Sequence, residues 1–243
     1  MDCHDSGNHI RSTVLYYFPE EIMTGNVFSI SPVLYFLIPA AFLMGSIPFG
    51  LIFTRGTGID VRSTGSKNSG ATNVLRSAGK VPALLTLLGD MIKGAIPVFI
   101  CRYMIAHTGI SLQADELVIA QDLWPGIVGL SAVLGHMFSV FLSFRGGKGV
   151  ATGFGVLLVY SPKAAGIGLV IWIVVAVVSK ISSLAAVTAV GFMPVVFLIF
   201  RASAIKVTIG IVLAALIIYK HKSNIKNLIA GKESRIGSKG SKE

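Results

Sequence analysis

Apolar residues run almost uninterrupted through seven stretches of this chain, 33–54, 81–104, 123–144, 150–161, 164–179, 183–201 and 204–220, and the sequence between them is polar and often glycine-rich. Most of these runs approach the roughly 20 residues that a helix needs to cross about 30 Å of hydrocarbon. The pattern therefore predicts an all-α fold, a polytopic membrane protein with about seven transmembrane helices. The fourth stretch is short and Ser161-Pro162-Lys163 follows it, so residues 150–179 read either as two segments or as one kinked span. Gly45, Pro48, Pro97, Gly155, Gly191 and Pro194 punctuate the runs, which membrane helices tolerate where neighbours satisfy the freed backbone groups. No internal repeat of the kind many transporters show is evident.

Composition agrees with the pattern. Of 243 residues 53% are apolar and 13% charged, with mean hydropathy +0.76, against about 25% charged in soluble domains. A net charge of +10 would suggest nucleic acid as a partner in a soluble protein, but here the basic residues lie between and after the apolar runs. That placement points to orientation and to anionic lipids or substrates, with no nucleic acid. With seven spans and the loop 55–80 inside, fifteen Lys and Arg fall on the inner side and five on the outer, with Lys93 inside a span. Six spans would put the basic tail outside, so the N-terminus is expected outside and the C-terminus in the cytoplasm. Residues 1–32 hold four acids and one Arg and lack the basic start of a signal peptide, so they read as a mobile, extracytoplasmic extension. The membrane domain is expected over 33–236 and a basic tail over 237–243. Cys3 and Cys101 suggest neither a disulfide framework nor a metal site.

Polar chemistry concentrates in three places. The first is Gly65-Ser66-Lys67-Asn68-Ser69-Gly70-Ala71-Thr72-Asn73-Val74-Leu75-Arg76, which offers exposed amides, hydroxyl and amide donors, and two cations, a set suited to phosphate. Its glycine spacing mimics a nucleotide-binding loop, but Ala71 stands where that loop needs lysine and no strand precedes it. The second is Arg145-Gly146-Gly147-Lys148-Gly149-Val150, where glycines and a lysine enter a helix N-terminus, a plausible anion site. The third is His221-Lys222-Ser223-Asn224, whose i, i+3 spacing would share a face if the helix continues. Asp90 and Lys93, also i, i+3, sit inside the second span and read as a buried ion pair or as part of a polar cavity. Asp60 and Arg62 read as loop-fixing, and His136 as a hydrogen-bonded packing residue. No H-E-x-x-H, G-x-S-x-G or EF-hand pattern occurs, and no histidine has an Asp five residues later.

Gly45-Ser46-Ile47-Pro48-Phe49-Gly50, the loop Gly65 to Arg76, Gly135-His136-Met137, Gly147 to Thr152 and His221 to Glu233, in that order, resemble the bacterial acyl-phosphate:glycerol-3-phosphate acyltransferases, the PlsY family. The resemblance runs from about 33 to 236. It implies seven helices in the bacterial cytoplasmic (inner) membrane and a site facing the cytoplasm. The reaction implied is acyl transfer from acyl phosphate to the sn-1 hydroxyl of glycerol 3-phosphate, giving lysophosphatidic acid and phosphate with no metal or other cofactor. Carried over by motif position, Ser66, Arg76, Lys148, His221 and Asn224 are the expected catalytic residues. Gly65, Asn68, Gly70, Thr72 and Asn73 of the first loop, with Gly146, Gly147 and Gly149 of the second, are the expected substrate-binding positions. One departure stands out: the family loop usually reads G-S-G-N, whereas this chain has Gly65-Ser66-Lys67-Asn68. Two other classes compete with an enzyme: an anion transporter lined by Asp90 and Lys93, and a lipid-binding scaffold, which would not explain two glycine-rich loops.

Overall fold

A computed structural model of the chain describes residues 32–107 and 114–236, and these contain helices and loops but no strand. Of the expected extension only Pro32 falls within them; the rest of it and the basic tail lie outside the described residues. All seven apolar stretches are helical. The first is α1 (Pro32–Ser46) followed by the short α2 (Phe49–Ile52), and the first polar loop ends in α3 (Ala71–Ser77). Then come α4 (Lys80–His107), α5 (Ala114–Met137), α6 (Val150–Tyr160) and α7 (Pro162–Ser179). The sixth stretch divides into α8 (Ser182–Gly191) and α9 (Met193–Ile199), and α10 (Ala204–Lys220) leads into α11 (Lys222–Ile229).

Five segments among the described residues are long and apolar enough to cross a membrane, and α10 with α11, bent by 64°, makes a sixth if the pair counts as one. The remaining apolar helix, α6, has 11 residues, about 16 Å of rise and so roughly half the hydrocarbon thickness. Residues 150–179 form two helices. Ser161 adopts φ −151° and ψ 86°, and Pro162 opens α7, where its missing N–H costs nothing. The third helix starts nine residues earlier than hydropathy suggests, at Ala114 rather than 123. In this added stretch Asp122 has partners: it accepts from Ser203 Oγ at 2.6 Å and pairs with Lys206 Nζ at 2.8 Å.

Helix contact rests on small residues. A Cβ on Gly45 would lie 2.0 Å from the Ala132 carbonyl oxygen, and one on Gly135 the same distance from that of Phe42, so α1 and α5 cross backbone to backbone. Gly94 and Gly155 do the same for α4 and α6, against the carbonyls of Thr152 and Met91. Between lipid-bathed helices there is little hydrophobic drive to associate, so close packing and interhelical hydrogen bonds carry the association. Ser131 Oγ to Ile38 O at 2.7 Å supplies such a bond between α5 and α1, and just past α5 Ser139 Oγ donates to Ser46 O at 2.5 Å. The outer face of α7 is apolar and bare, with Val178 80% exposed. This scaffold brings the three polar segments to one end of the bundle.

Candidate active site

The first loop is wound around one side chain. Asn73, 1% exposed in the first turn of α3, accepts the Ser66 N–H on Oδ1 at 2.9 Å. Its Nδ2 donates to the carbonyls of Val61 at 2.8 Å, Thr64 at 3.1 Å and Asn68 at 2.9 Å. Gly65 has φ +58°, and a Cβ there would sit 2.4 Å from Asn73 Oδ1. Upstream, Asp60 accepts the Arg62 N–H at 2.9 Å and fixes the loop as expected. Lys67 takes φ +54°, a left-handed conformation that disfavours a residue with a Cβ by about 1–2 kcal/mol. The backbone thus keeps the path suited to the glycine of the resembling loop, and the lysine side chain points into solvent.

The second loop is pressed onto the end of α5. Gly146 N–H donates to Met137 O at 3.2 Å and Gly147 N–H to His136 O at 3.0 Å. A Cβ on Gly146 would lie 2.0 Å from His136 O, and one on Gly147 2.2 Å from His136 Nε2. Gly149, at φ +81°, is the N-cap of α6, whose first turn leaves backbone N–H groups free for an anion.

The tail completes the arrangement. The chain bends at His221 rather than running on as one helix, yet His221 and Asn224, 2% and 8% exposed, both turn to the same space. His221 Nδ1 lies 2.8 Å from the Ile217 carbonyl. A carbonyl can only accept, so Nδ1 carries the proton and Nε2 keeps its lone pair. Asn224 Nδ2 donates to Glu233 Oε1 at 2.6 Å, and the same oxygen accepts from Ser183 Oγ at 2.7 Å. Asn224 Oδ1 is left buried with no hydrogen-bond partner.

These segments enclose a cavity of about 530 Å³. Its polar end holds Ser66, Arg76, Lys148, His221, Asn224 and Glu233, and its apolar end runs between Leu87, Leu157, Trp172, Val190, Met193 and Leu213. Of the site residues expected from sequence, Asn68, Gly70, Thr72, Asn73 and Gly149 also reach the wall. Gly65, Gly146 and Gly147 do not. At these three positions Asn73 or His136 lies where a Cβ would go, so the glycines let the loops close on their supports. Three contributors were missed. Glu233 and Ser183 orient Asn224, and Trp172 lines the apolar end. Glu233 carried a usable signal, since it is the first carboxylate after Asp122 and stands in a basic segment. Among the described residues no three His, Cys, Asp or Glu side chains cluster as metal ligands would.

Burial depresses the Lys148 ammonium below the ordinary lysine range; Glu233 partly opposes the shift, and Arg76 adds to it. Burial likewise pushes His221 down, against the opposing effect of its bond to Ile217 O, so the imidazole is neutral near pH 7. Arg76 meanwhile donates to Ser234 O at 3.2 Å, tying the first loop to the tail.

Comparison with known proteins places these features. The profile of the family described as Glycerol-3-phosphate acyltransferase matches residues 35–231. The Glycerol-3-phosphate acyltransferase of Halorhodospira halophila is 44% identical over 206 residues, 84% of this chain and 98% of that protein. That of Laribacter hongkongensis is 46% identical over 201 residues, 82% of this chain and 94% of the other. Among solved structures, PlsY, an integral membrane glycerol 3-phosphate acyltransferase, superposes in its glycerol 3-phosphate form with a TM-score of 0.72 at 36% identity. That alignment covers 84% of this chain and 96% of PlsY. The lysophosphatidic acid form gives a TM-score of 0.70.

Asn73→Ala would leave the Ser66 N–H and three loop carbonyls without their partner, at about 1–3 kcal/mol for each group that stays buried. We expect thermal unfolding in detergent to begin several degrees lower. Thr72→Val, which loses only an exposed 3.2 Å contact with Ser182, should change little. Equal melting of the two variants would show that Asn73 does not hold the loop.

Proposed function

The chain belongs to the glycerol-3-phosphate acyltransferase family, and from that premise we propose that its cavity transfers an acyl group from acyl phosphate to the sn-1 hydroxyl of glycerol 3-phosphate. The observation that carries the reading is the division of the cavity: a cationic, hydroxyl-rich end continues into an apolar one. Lysophosphatidic acid, a phosphate head on an acyl tail, has the same division. Ser66, Arg76 and Lys148 with the first turn of α6 hold the phosphates, and the apolar end takes the acyl chain.

Acyl phosphate is a mixed anhydride with phosphate as leaving group, so positioning two bound substrates and stabilising the tetrahedral oxyanion can suffice without a covalent nucleophile. The hydroxyl oxygen bonds to the acyl carbon, the bond from that carbon to the phosphate oxygen breaks, and the hydroxyl proton ends on the released phosphate. His221 Nε2 accepts the hydrogen bond of the attacking hydroxyl and aligns it. Asn224, held by Glu233, offers Oδ1 as a second acceptor. We read residues 33–236 as the catalytic domain; with the short α6 counted as a seventh crossing, fifteen inner against five outer basic residues support a cytoplasmic side for the loops at 65–76 and 144–149 and for the tail, beneath the inner membrane. Impermeant thiol labelling of single cysteines at 67 and 163 tests that orientation: only 163 should label from outside intact cells.

The donor is tested by offering purified protein acyl phosphate, acyl-CoA or acyl carrier protein with glycerol 3-phosphate. Turnover should require acyl phosphate. Robust turnover with acyl-CoA and none with acyl phosphate would overturn the assignment.

Lys148→Ala should fold and insert yet lose on the order of 100-fold in rate or more, as for removal of one preorganised oxyanion donor. Arg76→Lys should also be impaired, because an ammonium cannot grip phosphate bidentately, while Lys222→Ala, on the exposed face of α11, should lose little. The pH profile carries the sign of the shifts. The Lys148 charge is present below its pKa, so the alkaline limb of kcat/KM should lie below the roughly 10.4 of an ordinary lysine. Lys148→Arg should move that limb upward. A limb that stays put would detach it from Lys148.

A further inference from the structure

Beneath the two loops lies a second polar cluster, Asp90, Lys93 and His136, at 2%, 3% and 7% exposure. Lys93 Nζ is 2.7 Å from Asp90 Oδ1 and donates to the Ile47 carbonyl at 2.7 Å. His136 Nδ1 lies 3.6 Å from the same carboxylate oxygen and has no hydrogen-bond partner. The ion pair read from the sequence is therefore real, but it has a third member on another helix.

Each arm of the cluster ends under one anion loop. Ile47 is the break between α1 and α2, and Gly50 of α2 packs so tightly on the first loop that a Cβ would sit 1.9 Å from the Ser69 carbonyl oxygen. His136 supports the second loop twice: its carbonyl receives the Gly147 N–H, and its ring fills the space where a Gly147 Cβ would be. Lys148 is the next residue. The cluster also borders a small cavity of about 10 Å³, room for at most one water and far too little for a substrate. Asp90 and His136 touch the wall of the main cavity as well. Yet the Nε2 edge of the ring abuts Gly147 and its Nδ1 edge faces Asp90, so neither nitrogen is turned to a reacting group.

We propose that Asp90, Lys93 and His136 are positioning residues that fix the separation of the two phosphate loops, and so set Lys148 against Ser66 and Arg76 without touching substrate. The inference rests on reading those loops as the phosphate holders. A misplacement of about 1 Å far from the chemistry can cost on the order of 100-fold in rate, so the effect should be visible in kinetics and not only in stability.

The test compares purified Asp90→Asn, His136→Gln and the double variant with Asp122→Asn. Asp122 is a buried carboxylate 14 residues before His136 on the same helix, about 21 Å along its axis. Thermal unfolding in detergent and steady-state kinetics with both substrates varied are read for each. KM for glycerol 3-phosphate should rise about tenfold or more in each cluster variant, and the double variant should be no worse than the poorer single one, because both act through one contact. Asp122→Asn should lower Tm and leave KM within about twofold, being too distant to couple. Unchanged KM in the cluster variants, with the loss confined to Tm or folded yield, overturns the inference. His136→Gln removes no formal charge and decides the question if Asp90→Asn does not fold. Lys148→Ala, run alongside, separates the two levels. If it is fully active the phosphate-site reading fails, and if it is inactive while the cluster variants keep a normal KM, only the positioning inference fails.

Discussion

A backbone carbonyl left without a partner in hydrocarbon costs several kcal/mol, and this chain breaks its apolar stretches repeatedly, so the whole arrangement depends on how the freed carbonyls are satisfied. Cations from neighbouring helices do it. Lys93 of α4 donates to Ile47 O just past the end of α1. Arg102 of α4 reaches the Val159 and Tyr160 carbonyls that end α6, at 3.2 and 3.4 Å. Lys220, the last residue of α10, donates at 2.9 Å to the carbonyl of Met137, the last of α5. Each contact also sets a positive charge against the negative end of a helix dipole. Short helices and sharp bends thereby become stable, and the bends are what open a cavity inside the bundle.

The same economy of charge shapes the reaction centre. Low dielectric makes an unpaired charge costly, and Arg76 and Lys148 bring two cations to the wall of one cavity. Glu233 balances part of that positive charge and holds Asn224 in place through a single carboxylate oxygen that also takes the Ser183 hydroxyl. In the proposed reaction the demand on side-chain chemistry is modest, because acyl phosphate brings its own leaving group. In that reading what the protein supplies is the distance between two loops, and distance is a property of packing. Glycines at 146 and 147 let one loop lie against His136, and the four hydrogen bonds of Asn73 hold the other in shape.

Much of this was legible in the residues. Seven apolar stretches became seven helical ones, because hydrophobic run length and the absence of solvating groups are local properties that survive folding. Ser66, Arg76, Lys148, His221 and Asn224 were nameable from ordered motifs, and the structure brings all five to one cavity. The ends of elements were less legible. The acidic start of α5 looked like loop until Lys206 and Ser203, more than 80 residues downstream, supplied partners for Asp122.

The sequence by itself determined that the chain is a bundle of apolar helices and which short segments carry polar chemistry, since both follow from composition within a few turns of chain. Only the tertiary structure decided which polar residues face the cavity and which hold the loops. Gly65 and Gly70 are equivalent in the sequence, yet one backs onto Asn73 and the other lines the cavity. Glu233 matters because the bend at His221 folds the tail back over Ser183, 50 residues away. Asp90 and Lys93 show one turn of helix in the sequence, but their third partner, His136, comes from another helix. That contact exists only because α4 and α5 pack side by side, a relation no pattern along a single chain encodes.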